Sequence, residues 1–331
     1  FTANFRRDGS SNFGNGQKWG NFPSFSAGWN FSEENFLKDS NWLTRGKLRA
    51  SWGQIGNQAI GGGAYRNTYT GNLGYYLFGD YTPYLRGGSN YMGNPNVRWE
   101  TTEQTDIGIE LSLFGGAIDI VADYFNKTTD GMLLNVPLPN YLGFSNFPWT
   151  NAGKIENKGL EFELAYNNNK GAFKYTIAGN LFTFKNKVIS LGGGEPILGG
   201  GWINYTTTKT EEGKPIGYFF GLKTDGIFQS QAEADNYFQE GARPGDLKFV
   251  DVNGDQKIDN QDRTHIGDPF PKISYGLNFN SSYKNFDISL SMQGTWGNDI
   301  MNIKKIDMNS GVGWYNAPKD LMERAWSPTN P

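Results

Sequence analysis

Cysteine is absent from the 331 residues and histidine occurs once. Without thiols the chain has no disulfide, no thiolate-held zinc or iron–sulfur cluster, and no thiol nucleophile. The single His265 rules out any metal site built on a histidine pair, and it leaves a Ser/His/Asp triad with one candidate base. An excess of charge is also lacking: 30 Lys+Arg stand against 33 Asp+Glu, for a net charge of −3. With no Lys/Arg block, nucleic acid is not an expected partner. No apolar run approaches the roughly 20 residues of a membrane-spanning helix. No charged start leads into an apolar signal core. Helical periodicity is scarce. Phe1 opens directly into a strand pattern, so the chain is expected to begin inside a longer protein.

What is abundant is glycine (45) and aromatic residues (10 Trp, 17 Tyr and 24 Phe), arranged with a period of two. A mean hydropathy of −0.59 would suit a soluble protein. A transmembrane β-barrel gives the same average, because apolar and polar residues interleave along each strand. From Pro23 to Ser32, Phe25, Ala27, Trp29 and Phe31 alternate with Ser24, Ser26, Gly28 and Asn30. From Thr105 to Phe114, Ile107, Ile109, Leu111 and Leu113 alternate with Asp106, Gly108, Glu110 and Ser112. After Gly115-Gly116 come Ile118, Ile120, Ala122 and Tyr124, opposite Asp119, Val121 and Asp123. Leu160 to Tyr166 and Phe173 to Leu181 continue the pattern. The hairpin from Ile273 to Phe279 and from Phe286 to Trp296 is the cleanest.

Two architectures produce such strands. A β-sandwich buries the apolar face, usually in strands of about 5–6 residues. A membrane barrel turns that face to lipid, in strands of about 9–11 residues or more with aromatic girdles. Here the alternation often lasts long enough for the second. Short Gly/Asn turns also take turns with long connections, at about 54–96, 135–152, 190–215 and 230–271. That asymmetry favours an all-β, transmembrane antiparallel barrel with long extracellular loops.

Several phrases go beyond pattern. Arg6-Arg7-Asp8-Gly9-Ser10-Ser11 with Phe13-Gly14, Phe22-Pro23-Ser24, and Ser26-Ala27-Gly28-Trp29 resemble the mid-barrel of SusC-like (SusC/RagA) TonB-dependent transporters. So do Leu48-Arg49-Ala50-Ser51-Trp52-Gly53 with Gly56-Asn57, and Asn94-Pro95-Asn96 with Trp99-Glu100. Asn157 to Glu161, Lys223 to Phe228, Gly245-Asp246 and Asp251 to Asp262 follow in the family's order. The resemblance implies an outer-membrane barrel of about 22 strands with a plugged lumen, in a Gram-negative bacterium. It implies import of glycans or peptides, energised by the TonB complex, under a SusD-like lipoprotein cap. Residues 1–331 are then expected to form one partial barrel domain. The plug, TonB box and closing strands are not found among these residues, so the plug's gating groups cannot be assigned.

The sharpest local motif is Asp251-Val-Asn253-Gly-Asp255-Gln-Lys257-Ile-Asp259-Asn-Gln-Asp262. Asp251, Asn253, Asp255, Asp259 and Asp262 place oxygen ligands at calcium-loop spacing, and Lys257 can offer its backbone carbonyl. Apolar Ile258 would anchor the loop. Two departures stand out: Gln256 replaces the glycine of an EF-hand's sharp turn, and Asp262 replaces its glutamate. A strand-like Asp246 to Val250 and the prolines 269 and 271 replace the flanking helices. The expectation is one structural Ca2+ clamp in an external loop, and the alternative is an ion-free Asx turn.

Catalysis is not expected. Glu161/Glu163 and Asp119/Asp123 have the residue types of a glycosidase pair, but residues two apart on a strand also share a wet lumenal face. The glycine runs 61–63, 192–194 and 199–201 lack the Lys-Ser/Thr of a phosphate loop. Trp29, Tyr124, Phe286 and Trp296 fit lipid-facing or girdle positions. Tyr65, Tyr69, Tyr75, Tyr76, Tyr81 and Tyr84 sit in a long loop, where ligand stacking, loop packing and lipoprotein contact remain open. The competing function is a calcium-stabilised extracellular β-sandwich that binds carbohydrate, and passive porin activity is a nearby alternative.

Overall fold

The computed structural model describes residues 1–70, 75–79, 82–85, 88–135, 148–202, 205–309 and 316–330. The early strands are β1 (Thr2–Gly9), β2 (Trp19–Trp29), β3 (Leu43–Asn57), β4 (Thr68–Thr70), β5 (Tyr75–Phe78), β6 (Thr82–Leu85) and β7 (Gly88–Tyr91). The central ones are β8 (Glu100–Leu113), β9 (Ile118–Asn135), β10 (Trp149–Asn168), β11 (Phe173–Thr183) and β12 (Lys185–Ser190). Then follow β13 (Ile197–Trp202), β14 (Tyr205–Thr210), β15 (Tyr218–Leu222), β16 (Thr224–Ile227), helix α1 (Gln231–Asp235), β17 (Leu247–Phe249) and β18 (Arg263–Gly267). The hairpin β19 (Ile273–Tyr283) and β20 (Phe286–Trp296) closes the series, before the short helices α2 (Ile303–Asn309) and α3 (Leu321–Arg324).

Packing divides the chain into two compact units. The first, Phe1–Glu195 with Lys272–Trp296, is a ten-stranded antiparallel sheet ordered β1-β2-β3-β8-β9-β10-β11-β19-β20, with β12 paired to β10. The second, Pro196–Pro271 with Gly297–Pro331, holds the four-stranded sheet β13-β14-β15-β18 and the ribbon β16-β17.

Why the first unit forms such long strands follows from side-chain direction. Alternate residues point to opposite faces, so a fixed register sorts one sequence into two surfaces. Leu48 pairs with Ile109, Ile109 with Ala122, Ala122 with Phe162, Phe162 with Leu181, and Leu181 with Tyr275. Their neighbours form the other face: Arg49, Gly108, Asp123, Glu161, Phe182 and Ser274 are paired in the same order. The apolar face is uncovered: Leu160 is 55% exposed, Phe162 42%, Leu290 53% and Met292 53%. A soluble sandwich would bury these side chains, and contiguous apolar patches of this extent mark a membrane or an interface. The sandwich alternative therefore fails on burial. On β20, Phe286, Ile288, Leu290, Met292 and Trp296 share that face along 11 residues. Ten steps of about 3.3 Å, tilted by about 40°, give a height of about 25 Å, the thickness of a barrel's apolar band.

Aromatic side chains gather toward the short-turn end. Phe173 lies 5.3 Å from Tyr175, and Tyr166 lies 5.9 Å from Tyr175, centroid to centroid. The turn after β8 is made by Phe114, Gly115 and Gly116, all with positive φ (55°, 70° and 84°). Glycine accepts this at no cost, while Phe114 pays for it. At the opposite end of the sheet a small conventional core forms from Phe13, Phe22, Ile60, Ala64, Val97, Trp99 and Leu133. Trp99 donates its indole N–H to the carbonyl of Lys18 at 3.1 Å.

The strands outrun their alternation. β9 continues to Asn135 and β10 begins at Trp149. The connections 190–215 and 230–271, expected to be loops, carry β13, β14, α1, β17 and β18. The strand expected at Asp246 to Val250 is present as β17.

Candidate functional site

The polar face of the first unit gathers charge by register. Arg49 on β3 stands across Gly108 on β8 from Asp123 on β9. Gly108 has no Cβ, and a methyl group there would collide with the Asp123 carboxylate, so glycine opens the path between the two charges. Arg49 reaches Asp123 Oδ2 at 2.5 Å and Glu110 Oε1 at 3.1 Å. Arg45 contacts Glu110 Oε2 at 3.3 Å, and Lys47 lies 3.9 Å from its Oε1. Beside them, Ser51 donates to Asp106 at 3.2 Å and Gln104 donates to the same carboxylate at 2.9 Å.

Arg49, Gln104, Asp106 and Asp123, together with Lys127 and Glu161, line a groove of about 570 Å³. Glu161 lies directly opposite Asp123 in the register, and a like-charge pair of that kind is unfavourable unless a cation intervenes. The Arg49 guanidinium, from the other side of Asp123, neutralises that member of the pair. The carboxylates considered as a glycosidase pair thus belong to a lumen-type polar face, and Asp123 is committed to Arg49. Geometry of this kind orients and screens polar solutes.

The second unit builds a different cluster. Tyr218 on β15 is fully buried, and its hydroxyl donates to Glu211 Oε1 at 2.7 Å. Lys209 pairs with the same carboxylate at 2.7 Å. Burial, reinforced by Glu211, pushes the phenol of Tyr218 well above its usual range. Lys209, followed by the Tyr218 hydroxyl, holds Glu211 below the usual carboxylate range. His265 on β18 lays its ring 4.5 Å from that of Tyr218, and its Nε2 lies 2.9 Å from Asp268 Oδ1. His265 is thus a packing and hydrogen-bonding residue. Arg263 stacks 4.5 Å over Phe220 and donates to its carbonyl at 3.2 Å. Sequence reasoning did not reach Tyr218, Glu211 or Arg263. The one signal available was an aromatic run, Tyr218-Phe219-Phe220, between Gly217 and Gly221.

The candidate calcium loop lies in this unit. Asp251 accepts from the amides of Gly254 (2.6 Å) and Gln256 (2.9 Å). Asn253 accepts from Asp255 N (2.9 Å), and Asp255 from Lys257 N (2.9 Å). Asp259 accepts from Gln261 N at 2.7 Å. Asp262 is fully buried, with one oxygen on Val252 N (2.9 Å) and the other on Asp259 N (2.8 Å). Those amide bonds, that of Asp259 foremost, hold the Asp262 carboxyl well below its usual range. Gln256 takes φ 63°, the left-handed turn that the spacing assigned to this position. Among the described residues, no group of three or more His, Asp or Glu side chains is arranged to hold a metal. The loop satisfies itself with Asx-type bonds.

Of the loop tyrosines, Tyr69 is 73% exposed and Tyr65 packs against the core cluster. Tyr81 and the side chains of Tyr75, Tyr76 and Tyr84 lie outside the described residues.

Long strands with one uncovered apolar face, one charged face, and short turns at one end define a wall of an outer-membrane β-barrel. The model of the TonB-dependent receptor-like β-barrel family matches residues 1–293. The chain belongs to that family, whose members are outer-membrane proteins of Gram-negative bacteria. It is 36% identical over 343 residues to TonB-dependent receptor P3 of Formosa agariphila, covering 100% of this chain and 33% of the relative. It is 32% identical to TonB-dependent receptor SusC of Bacteroides thetaiotaomicron, over 96% of this chain and 32% of that protein. The structure of the RagAB peptide transporter matches with a TM-score of 0.80 at 22% identity, over 99% of this chain and 34% of the solved one. The chain therefore spans about a third of the length of the relatives it matches.

Proposed function

We propose that this chain is the wall and outer connections of an active nutrient importer that takes up glycans or peptides. TonB supplies the energy, and a SusD-like surface lipoprotein works with it. The observation that carries this reading is the charged groove around Arg49, Asp123 and Glu161 on the face opposite the apolar band, in a chain of this family. Residues 1–331 are read as one partial barrel domain, with the second unit formed from its long connections. Transport is conformational and involves no covalent chemistry. The test is uptake of labelled oligosaccharides and oligopeptides by cells carrying the intact gene. Uptake should stop when TonB is deleted, and the protein should co-purify with a lipoprotein. Uptake that survives TonB deletion means a passive pore.

The Asp251–Asp262 loop is proposed to take one structural Ca2+ through Asp251, Asn253, Asp255, Asp259 and Asp262, with the Lys257 carbonyl. Its support is the ligand spacing and the left-handed turn at Gln256. Binding requires the oxygens to exchange backbone amides for the ion, which limits affinity to the weak range filled outside cells. Asp251→Ala with Asp255→Ala should abolish bound calcium in mass spectrometry of the intact protein. Unchanged calcium content defeats the proposal.

A further inference from the structure

The outward face of the sheet changes character sharply on neighbouring strands. On β10, Tyr166, Leu164, Phe162 and Leu160 occupy the apolar face, and the next residue on that face is Lys158. On the adjoining pair, Leu181 and Thr183 of β11 are followed by Lys185 and Lys187 of β12. The register places Lys185 directly opposite Lys158, and Lys187 opposite Glu156. Lys185 and Lys187 are exposed, whereas Asn186 and Val188 between and after them are buried on the other face.

Two like charges directly opposite one another destabilise a sheet. Glu156 relieves only one of them, because its carboxylate pairs with Lys158 at 2.8 Å on its own strand. Among the described residues no ion pair engages Lys185 or Lys187. One row further from the band, Lys154 pairs with Asp130 at 3.2 Å. The patch therefore keeps uncompensated positive charge. Its depth is fixed as well. With the strands tilted by about 40°, Lys158 lies about 5 Å above Leu160, and the Glu156–Lys187 row about 10 Å above it. The short turns are at the far end of the strands, so this is the external side. In a Gram-negative outer membrane the outer leaflet is glycolipid, and its phosphates sit just above the acyl chains.

We propose that Lys158, Lys185 and Lys187 form a docking surface for the phosphates of an outer-leaflet glycolipid whose acyl chains lie on Leu160, Phe162 and Leu181. Lys185 and Lys187 supply the free ammonium groups, and Lys158 shares its proton donors between Glu156 and the phosphate. The apolar band and the lysines are continuous, so one lipid satisfies both. Such charge near a membrane surface is attracted to anionic head groups and is sensitive to salt. The inference depends on the membrane placement of the sheet and is independent of what the protein imports.

The test titrates intact protein, purified in detergent, with bisphosphorylated lipid A in mixed micelles, read by native mass spectrometry. Saturable binding is expected. The Lys158→Gln/Lys185→Gln/Lys187→Gln variant should bind about tenfold or more weakly, the effect of losing several surface lysines. The corresponding triple Arg variant should bind like the unaltered protein. Heat-modifiable migration on gels reports that each barrel is folded. If the triple Gln variant does not fold, Lys187→Glu alone reads the same site, with binding expected to fall severalfold. Lipid A stripped of phosphate should bind the unaltered protein no better than the triple variant binds the intact lipid. Unweakened binding by the variants, or equal binding of stripped lipid, overturns the proposal. Displacement by inorganic phosphate at equal concentration also overturns it, since the site would then recognise free phosphate.

Discussion

The two units of this chain solve opposite solvent problems. In the sheet of β1, β2, β3, β8–β11, β19 and β20, large apolar side chains are outside and ion pairs inside. Leu160 and Met292 are more than half exposed, while Asp123 keeps only 14% of its side-chain surface. In the second unit the usual order returns: Tyr218, Phe228 and Ala234 are buried, and charges such as Lys209 and Glu211 rim them. The comparison teaches that burial is not a property of residue type. It follows from which medium each face meets, hydrocarbon for one surface and water for the rest.

The largest expected effect breaks this comparison at the middle of the apolar band. Leu277 on β19 faces outward, between Phe279 and Tyr275 on the same face. Leu277→Arg places a charge in hydrocarbon and should destabilise the folded barrel by about 2–4 kcal/mol. Its neighbour Asn278 faces the other way, opposite Ser291. Asn278→Arg gives up only the 2.7 Å bond from the Ser291 hydroxyl and should cost about 1 kcal/mol or less. Denaturant titration in lipid vesicles measures both. Equal costs would mean that the outward face is not lipid-exposed.

Next comes the polar face itself. Arg49→Ala leaves Asp123 and Glu110 without their shared cation. A fully buried pair broken this way would cost more, but Arg49 is 40% exposed, so water relieves part of the loss. The expected cost is about 1–2 kcal/mol in the same titration. Arg49→Lys should recover only part of it, since a compact ammonium lacks the rigid, planar fork that reaches both carboxylates from Arg49.

In the second unit, Tyr218→Phe removes a buried hydroxyl whose bond goes to a charged acceptor. The expected loss is about 1–2 kcal/mol of local stability, read as faster amide exchange in β15 and β18. Its pH signature has a definite sign. The folded pKa of Tyr218 is raised, so between the ordinary value near 10 and the folded value the unfolded chain has lost a proton that the native chain keeps. That stabilisation is complete below about pH 10 and fades as pH rises further. The variant should lack this alkaline decline. Glu211, with its pKa lowered, contributes stability that is lost as pH falls through its depressed value, below the ordinary carboxylate range.

These contrasts explain what could be read in advance. Alternation marked the membrane-level stretches, Ile107 to Leu113, Ile118 to Tyr124 and Phe286 to Trp296, because lipid demands an apolar residue at every second position. It went silent from Asn126 to Asp130, where β9 continues. Both faces are wet there, so Lys127, Thr128 and Thr129 carry no period. β15 was missed for the opposite reason: Tyr218-Phe219-Phe220 is apolar without interruption, as suits a short strand in a conventional core. Arg49 and Asp123 are 74 positions apart and meet only through register across β8, which spacing along the chain cannot reveal. Tyr218 with Glu211 needed a fold for the same reason.

The smallest effects set the two units side by side on one backbone feature. Lys284, in the turn between β19 and β20, has φ 51°, and Gln256, in the Asp251–Asp262 loop, has φ 63°. Both are non-glycine residues held in the left-handed region, which costs roughly 1 kcal/mol for a residue with a Cβ. Glycine removes that strain but adds freedom to the unfolded chain. Each of Lys284→Gly and Gln256→Gly should therefore stabilise its unit by less than about 1 kcal/mol. The two then part. Lys284→Gly acts on a hairpin whose register is already fixed by the paired strands, so its effect ends with stability. Gln256→Gly relaxes the turn that gathers Asp251, Asp255 and Asp259, so it should also tighten calcium binding in a titration of the intact protein. If it raises stability and leaves calcium uptake unchanged, the left-handed turn serves only the loop's own hydrogen bonds.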